Sequence, residues 1–208
     1  MDEYKRLAGV YDPLLHPVMH RLRNKVTSVV VDLQPDKVID ICCGTGNQLK
    51  YLKRRGLKNA VGVDISHAML GQAQKGTEKV ACDYQDASSM SFEDDFFDVG
   101  IISFALHEKP PAIARQIISE AERIIHTGGH LIIADYMFDH QVHLPAKTAI
   151  HVVERIAGRD HYRHFREYLK YGGIDHLMGD YTLEQEYRFH GNATGIRVYR
   201  LDRYGQYA

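Results

Sequence analysis

The stretch Val38-Ile39-Asp40-Ile41-Cys42-Cys43-Gly44-Thr45-Gly46-Asn47 decides how this chain folds. Val38 to Ile41 reads as a short apolar strand. Gly44 and Gly46 supply a turn, and Leu49 and Leu52, with Gly56 as a stop, mark an amphipathic helix beginning near Asn47. Strand, glycine turn and helix in succession are how a doubly wound sheet builds a nucleotide pocket at the carboxyl ends of its strands. A second strand, Ala60 to Val63, ends in Asp64. That acid follows the turn by ~20 residues, the distance at which such folds place a carboxylate on a ribose.

The turn also discriminates between ligands. A dinucleotide fingerprint needs G-x-G-x-x-G, and here Leu49 stands at the third position. Asp40 ends the strand just before the turn, where a carboxylate repels a pyrophosphate and attracts a cation. The pocket therefore suits a nucleoside that carries positive charge and no phosphate, a description that fits the sulfonium and ammonium of S-adenosylmethionine.

Asp40-Ile-Cys-Cys-Gly-Thr-Gly46 resembles the first motif of class I S-adenosylmethionine-dependent methyltransferases, (D/E)-x-G-x-G-x-G. Three further blocks match in order. Val63-Asp64-Ile65-Ser66 with Met69-Leu70 resembles the ribose-binding acid and its helix. Gln85-Asp86-Ala87-Ser88-Ser89-Met90-Ser91-Phe92 resembles the adenine block G-D-A-x-x-L-P-F. Phe97-Asp98-Val99 to Leu106, then Glu120 to Asp135, resemble the fourth and fifth strands. The match covers about residues 36 to 136, and its one departure is Cys42 in place of the first glycine. The resemblance implies a Rossmann-like α/β fold, a doubly wound seven-stranded sheet, mostly parallel, with a C-terminal antiparallel hairpin. It implies S-adenosylmethionine as cofactor, held by Asp40, Cys42, Gly44, Thr45, Gly46, Asn47, Asp64, Ile65, Met69, Asp86, Ala87 and Ser103. Within the family the Tyr-Asp start, the small size and Leu106-His107-Glu108 are most similar to the branch of quinone-biosynthesis C-methyltransferases and phospholipid N-methyltransferases.

The rest of the chain is consistent with a single domain. Its 208 residues suit one α/β unit: a helical lid over 1–35, the cofactor core over 36–136, a helical cap over 137–180 and a hairpin over 181–208. A hydrophobic share of 44% and a net charge of -1 are those of an ordinary globular protein with no bias toward nucleic acid. The polar start, Met1-Asp2-Glu3-Tyr4-Lys5, is not a signal peptide, no run is apolar enough to span a membrane, and three cysteines make no disulfide framework. The setting they suggest is reduced and cytoplasmic, with Cys42 and Cys43 as small fillers of a tight turn.

In chain order, Pro13 breaks the start, so Tyr11 is expected on a bend, either as a packing aromatic or as a lid over the cofactor. Residues 14–32 read as a helix with Leu14, Val18, Leu22, Val26, Val29 and Val30 on one face. His16, His20, Arg21, Arg23 and Lys25 form a basic opposite face, either solvated or in peripheral contact with an anionic lipid surface. Helices are expected over 47–55 and 66–75, with Ser66 as N-cap, and a strand near 79–82. A buried strand over 97–104 is followed by a helix from Pro110 to about Ile125. Gly128-Gly129 is read as the stop of that helix, with a strand over 130–136 after it. Two helices, 141–157 and 160–171, precede the hairpin strands 183–190 and 196–201.

Methyl transfer is an in-line displacement at a carbon already activated by its sulfonium, so the protein supplies mainly proximity, orientation and exclusion of water. Candidate catalytic groups are His107, just past the fourth strand, Tyr11, and His161 and His164, near Arg159 and Tyr162. Asp135 and Tyr136 end the fifth strand facing the acceptor side. Thirteen histidines include the i,i+3 pairs His140/His143 and His161/His164, but neither lies in a pattern that makes a zinc site, and no metal is expected. The expected activity is methyl transfer to a small-molecule or lipid acceptor, a quinol, phenol or amine. The alternative is a non-catalytic nucleoside-binding protein on the same fold.

Overall fold

The computed structural model describes residues 11–75 and 77–202, with side chains from Met19 onward. Its elements run α1 (Tyr11–Asp32), β1 (Val38–Ile41), α2 (Asn47–Arg54), β2 (Ala60–Asp64), α3 (His67–Ala73), β3 (Ala81–Tyr84), β4 (Phe97–Ser103), α4 (Pro111–Ile124), β5 (Ile125–Tyr136), α5 (Leu144–Ala157), α6 (Arg159–Lys170), α7 (Gly173–Leu177), β6 (Thr182–Phe189) and β7 (Thr194–Arg200). One seven-stranded sheet has the order β3-β2-β1-β4-β5-β7-β6. Strands β1 to β5 are parallel, and β7 runs antiparallel to both β5 and β6.

The central strands of the sheet are buried on both faces, and side-chain alternation divides their residues between two cores. Val38, Val99, Ile101, Ile132, Ala134, Ile196 and Val198 point toward Leu22, Val26, Val29 and Val30 of α1 and Leu49 and Leu52 of α2. Ile39, Ile41, Ile102, Leu131 and Ile133 point the other way, toward Ala114, Ile117, Ile118 and Ala121 of α4 and Ile174 of α7. The period of two thus commits Asp40 to the α1 face, since both its neighbours face α4. A third small core joins Met137, Val142, Ile150, Phe165 and Ala193 under α5 and α6.

Four expectations need correction. Tyr11 begins α1 rather than sitting on a bend, because Pro13 falls in the first turn, whose N–H groups have no intrahelical acceptor. The side chains of Tyr11, Leu14, His16 and Val18 lie outside the described residues. Strand β3 starts two residues later than its apolar signal, because pairing with Val61 to Asp64 carries it through the polar Asp83 and on to Tyr84. Gly128-Gly129 does not stop α4. The helix already ends at Ile124, where Phe96 N donates to Ile124 O at 2.9 Å and draws the chain into β5. The glycines instead absorb a register shift between the Phe97 and Val99 pairings. A short helix, α7, follows Gly172, where only a turn was expected.

The third glycine that the turn lacks is supplied from the opposite side. A Cβ on Gly62 of β2 would stand 2.6 Å from Cys43 Sγ and 2.7 Å from Leu49 Cδ1, so α2 packs onto the sheet because Gly62 makes room for Leu49. Gly62→Ala should therefore cost about 1–3 kcal/mol through overpacking. Gly71→Ala, inside α3 with nothing within 4 Å of the added carbon, should gain about 0.5–1 kcal/mol in helix propensity. Urea unfolding of both variants checks the opposite signs.

Candidate functional site

The turn after β1 is held in left-handed backbone: Cys42 at φ 60°, Gly44 at 54° and Gly46 at 67°. Cys42 adopts the conformation that the resembling family assigns to glycine, at a cost of roughly 1–2 kcal/mol. Burial pushes its thiol up to about 12, so it stays protonated. Cys43 Sγ lies 3.9 Å from Cys82 Sγ on β3. Gly46 fits where a Cβ would meet Val80 Cγ2 at 2.8 Å. Asp64 ties the turn to the next crossover: Gly44 N donates to its Oδ2 and Ser66 N to its Oδ1, each at 2.8 Å. Ser66 then caps α3, its Oγ accepting from Met69 N at 3.2 Å. Asp40 is buried beneath the turn. Burial raises its pKa most, the Arg23 guanidinium pulls it down and Asp64 pushes it up, to about 7.

A cavity of about 1030 Å³ opens over the carboxyl ends of β1, β2 and β4. Of the expected cofactor residues, Asp40, Cys42, Gly44, Thr45, Asn47, Asp64, Ile65, Met69, Asp86, Ala87 and Ser103 line it. Gly46 is not in the lining; its place is the packing contact with Val80 and Ala73. Asp86 is exposed and accepts from Ser88 N and Ser88 Oγ at 2.9 and 2.7 Å, which hold its carboxyl below the ordinary range. The helix α1 contributes Met19, Leu22 and Arg23, and α5 roofs the far side with Ala146, Ile150, Val153 and Glu154. Arg23 therefore leaves the basic face that was read as solvated or in peripheral lipid contact. Lys25 Nζ lies 3.8 Å from the centre of the Tyr187 ring, and His20 is hydrogen-bonded to Tyr51 at 2.6 Å.

Four buried side-chain atoms among the described residues lack a hydrogen-bond partner: Arg23 Nη1, Gln48 Oε1, Ser103 Oγ and Glu154 Oε2. All four belong to residues that line this cavity. A buried polar group left unpaired costs about 1–3 kcal/mol, so their concentration on one cavity marks a place where a polar ligand supplies the partners.

The far end of the cavity carries a buried polar cluster. His107, on a single 3-10 turn Leu106–Glu108, is buried rather than exposed on a loop. Its Nδ1 is 2.6 Å from Asp135 Oδ1 at the end of β5. Burial pulls the His107 pKa down, but Asp135, Glu154 and Glu108 raise it by more, to about 9. Glu154 Oε1 accepts from Tyr136 Oη at 2.7 Å. Its Oε2 stands 2.6 Å from His161 Nε2 and 3.7 Å from His107 Nε2. His161 lines the cavity, whereas His164 turns away and places Nδ1 3.0 Å from Glu108 O. Glu154 went unread in the sequence. Its signal was its spacing, four residues after Ile150 and three before Ala157, on the inward stripe of α5.

The comparisons with known proteins agree with this geometry. Residues 38–129 match the model of a methyltransferase domain. Over those residues the chain is similar to a methyltransferase domain, and the seven-stranded sheet order is that of the fold described above. An uncharacterized methyltransferase of Synechocystis is 35% identical over 99 residues, 48% of this chain and 46% of that protein. A demethylmenaquinone methyltransferase of Beutenbergia cavernae is 29% identical over 136 residues, 65% of this chain and 55% of the relative. The chain thus spans about half the length of these curated relatives. The magnesium protoporphyrin IX methyltransferase of Synechocystis, solved with bound SAH, shares the fold at a TM-score of 0.64 and 20% identity, over 88% of this chain and 84% of that one. Among the described residues, no helix is long and apolar enough to cross a membrane.

Gly158 joins α5 to α6 at φ 142° and ψ 165°, a backbone region open in practice only to glycine. A Cβ there meets nothing within 4 Å, so the whole penalty of Gly158→Ala is conformational. That variant should lose about 1–3 kcal/mol of stability, read from its thermal transition.

Proposed function

We propose that the chain transfers a methyl group from S-adenosylmethionine to a small apolar acceptor bearing a hydroxyl, a quinol or a phenol. The observation that carries this reading is the set of four unpartnered buried atoms around one cavity in a methyltransferase domain. On this reading Asp64 holds the ribose hydroxyls, and Asp86 with Ala87 holds the adenine. Asp40 faces the cationic end of the cofactor, while Arg23 Nη1 takes the methionine carboxylate as a charge-assisted pair. Ile113, Ile117, Ile150 and Val153 give the acceptor end apolar walls with one polar corner, His107, Glu154 and His161. Such walls suit a flat ring with a polar substituent better than a charged amine. The relatives named as demethylmenaquinone methyltransferases support the same acceptor class. Residues 137–180 then form the acceptor cap, and His107 and His161 orient the acceptor rather than bind the cofactor.

The direct test is calorimetry followed by product mass. S-adenosylhomocysteine should bind and NAD should not. Purified protein with labelled cofactor should methylate a quinol or phenol pool. S-adenosylhomocysteine binding with no product from any hydroxyaromatic acceptor would favour the non-catalytic nucleoside-binding reading. His161→Ala should lower turnover with cofactor affinity kept within about threefold, under ~0.7 kcal/mol.

A pH dependence follows from Asp40. A cationic cofactor binds the ionised carboxylate, and the free carboxyl titrates at about 7. Raising the pH from 6 to 8 takes Asp40 from mostly protonated to mostly ionised, so S-adenosylmethionine should bind about tenfold more tightly at pH 8. Asp40→Asn should bind weakly and without that slope. Calorimetry at the two pH values reads both.

A further inference from the structure

Three side chains at the acceptor end have the composition and the surroundings of a metal site. His107, Glu154 and His161 each present one ligand atom, and all three atoms lie within 4.8 Å of one another. His107 and Glu154 are almost wholly buried, with side chains 4% exposed, and His161 closes the group at 22%. Glu154 Oε2 is a buried carboxylate oxygen set between two imidazoles, 2.6 Å from His161 Nε2 and 3.7 Å from His107 Nε2. A buried carboxylate oxygen with an imidazole nitrogen on either side offers a divalent cation three donor atoms at the point where they converge.

The outer contacts complete the pattern. Metal-bound imidazoles usually place their second nitrogen on a carboxylate or carbonyl, and a metal-bound carboxylate is itself hydrogen-bonded. Here His107 Nδ1 is on Asp135 Oδ1 at 2.6 Å, His161 Nδ1 is 3.5 Å from Glu108 Oε2, and Glu154 Oε1 accepts from Tyr136 Oη at 2.7 Å. Each of the three ligands thus has a partner on the atom turned away from the site. Tetrahedral bonds of about 2.0–2.2 Å set ligand atoms about 3.3 Å apart. The 2.6 Å and 3.7 Å separations from Glu154 Oε2 straddle that value, and all three ligand atoms lie within 4.8 Å of one another.

We propose that His107 Nε2, Glu154 Oε2 and His161 Nε2 bind a divalent first-row transition-metal cation whose remaining position opens into the acceptor end of the cavity. Two imidazoles and one carboxylate suit zinc, cobalt or ferrous iron; magnesium and calcium favour all-oxygen sets. Three protein ligands leave at least one position for an outside donor, as in catalytic rather than structural sites. All three residues line the cavity, so the outside donor comes from there. If the reading of an oxygen-bearing acceptor holds, that donor is the acceptor hydroxyl, fixed and polarised beside the carbon or oxygen to be methylated; this clause alone rests on the proposed activity. Binding makes two metal–nitrogen bonds and one metal–oxygen bond, and any proton on the imidazole Nε2 atoms leaves to solvent.

The test uses Co²⁺ alone on the chelator-stripped full chain, read by its visible ligand-field absorption. One equivalent should bind with a spectrum of low coordination number. Glu154→Gln and His161→Ala should each weaken binding at least tenfold, and the double substitution His140→Ala/His143→Ala, on exposed residues outside the cavity, should leave it unchanged. His161 is only partly buried, so His161→Ala remains readable if Glu154→Gln fails to fold, and each variant's thermal transition reports folding. No band at one equivalent, or a band that survives in a folded His161→Ala or Glu154→Gln protein, overturns the site. The measurement involves neither S-adenosylmethionine nor an acceptor, so its failure is separate from failure of the proposed activity.

Discussion

The carboxylate of Asp64 is the interaction on which the rest of the site depends. It ends β2, yet both its oxygens reach across to neighbouring backbone, one to Gly44 N and the other to Ser66 N. Two crossover turns are thereby fixed to one side chain, and the start of α3 is set by the same contact through the Ser66 cap. Burial raises the Asp64 pKa while the two backbone N–H groups hold it down, and the net shift is upward. Each oxygen spends one lone pair on backbone and retains capacity for another donor. A side chain that both closes the turn and accepts from a ligand needs both crossovers to be in place first, which is why the glycines at 44 and 46 and the gap at Gly62 are as much part of the site as any polar group.

The fold was legible because its signals are local. The strand–turn–helix at Val38 to Arg54, the buried run from Phe97 and the turn-rich link before β7 each lie within 17 consecutive residues or fewer. Each also agrees with its neighbours on one sheet order. The misreadings arose where a distant contact overrode a local signal. Pairing with β2 carried β3 past its apolar core into Asp83, and the pull of the β4 edge on Ile124 started β5 ahead of the glycine pair that reads as a stop. Pro13 was misread for a different reason: its effect depends on whether it falls before or within the first helical turn, and the sequence does not mark that boundary.

The end of the cavity over β1 and β2, proposed above to hold the cofactor, is lined by residues on motif turns, and that they gather there was legible for the same reason as the fold. The acceptor end was not. His107, Glu154 and His161 come from a 3-10 turn and two helices, spread over more than 50 positions, and only the folded sheet brings them together. Of the i,i+3 pair on α6, His161 lines the cavity while His164 faces the backbone of Glu108. What aims His161 at Glu154 is Gly158, which breaks one long helical pattern into α5 and α6 and folds the second back onto the first.

The two ends of the cavity are complementary in polarity, and methyl transfer requires that. At the end over β1 and β2, Asp40, Arg23 and Asp64 line the cavity with charge, which on the proposed reading faces a charged nucleoside, and burial makes such charges count for more than they would in water. At the other end, apolar side chains of α4 and α5 line the cavity and its polar groups are gathered in one corner; on the proposed reading these walls limit water on the path between donor and acceptor. That corner is also rich in aromatic rings: Tyr136, Phe165, Tyr168 and His161 all pack their rings against His107. Rings that interlock in this way fix the His107 imidazole from several sides, so its Nε2 has one direction to face, toward Glu154 and the cavity. Orientation of that kind, set by packing rather than by a mobile loop, is the contribution a protein can make to a reaction whose reactive carbon arrives already activated.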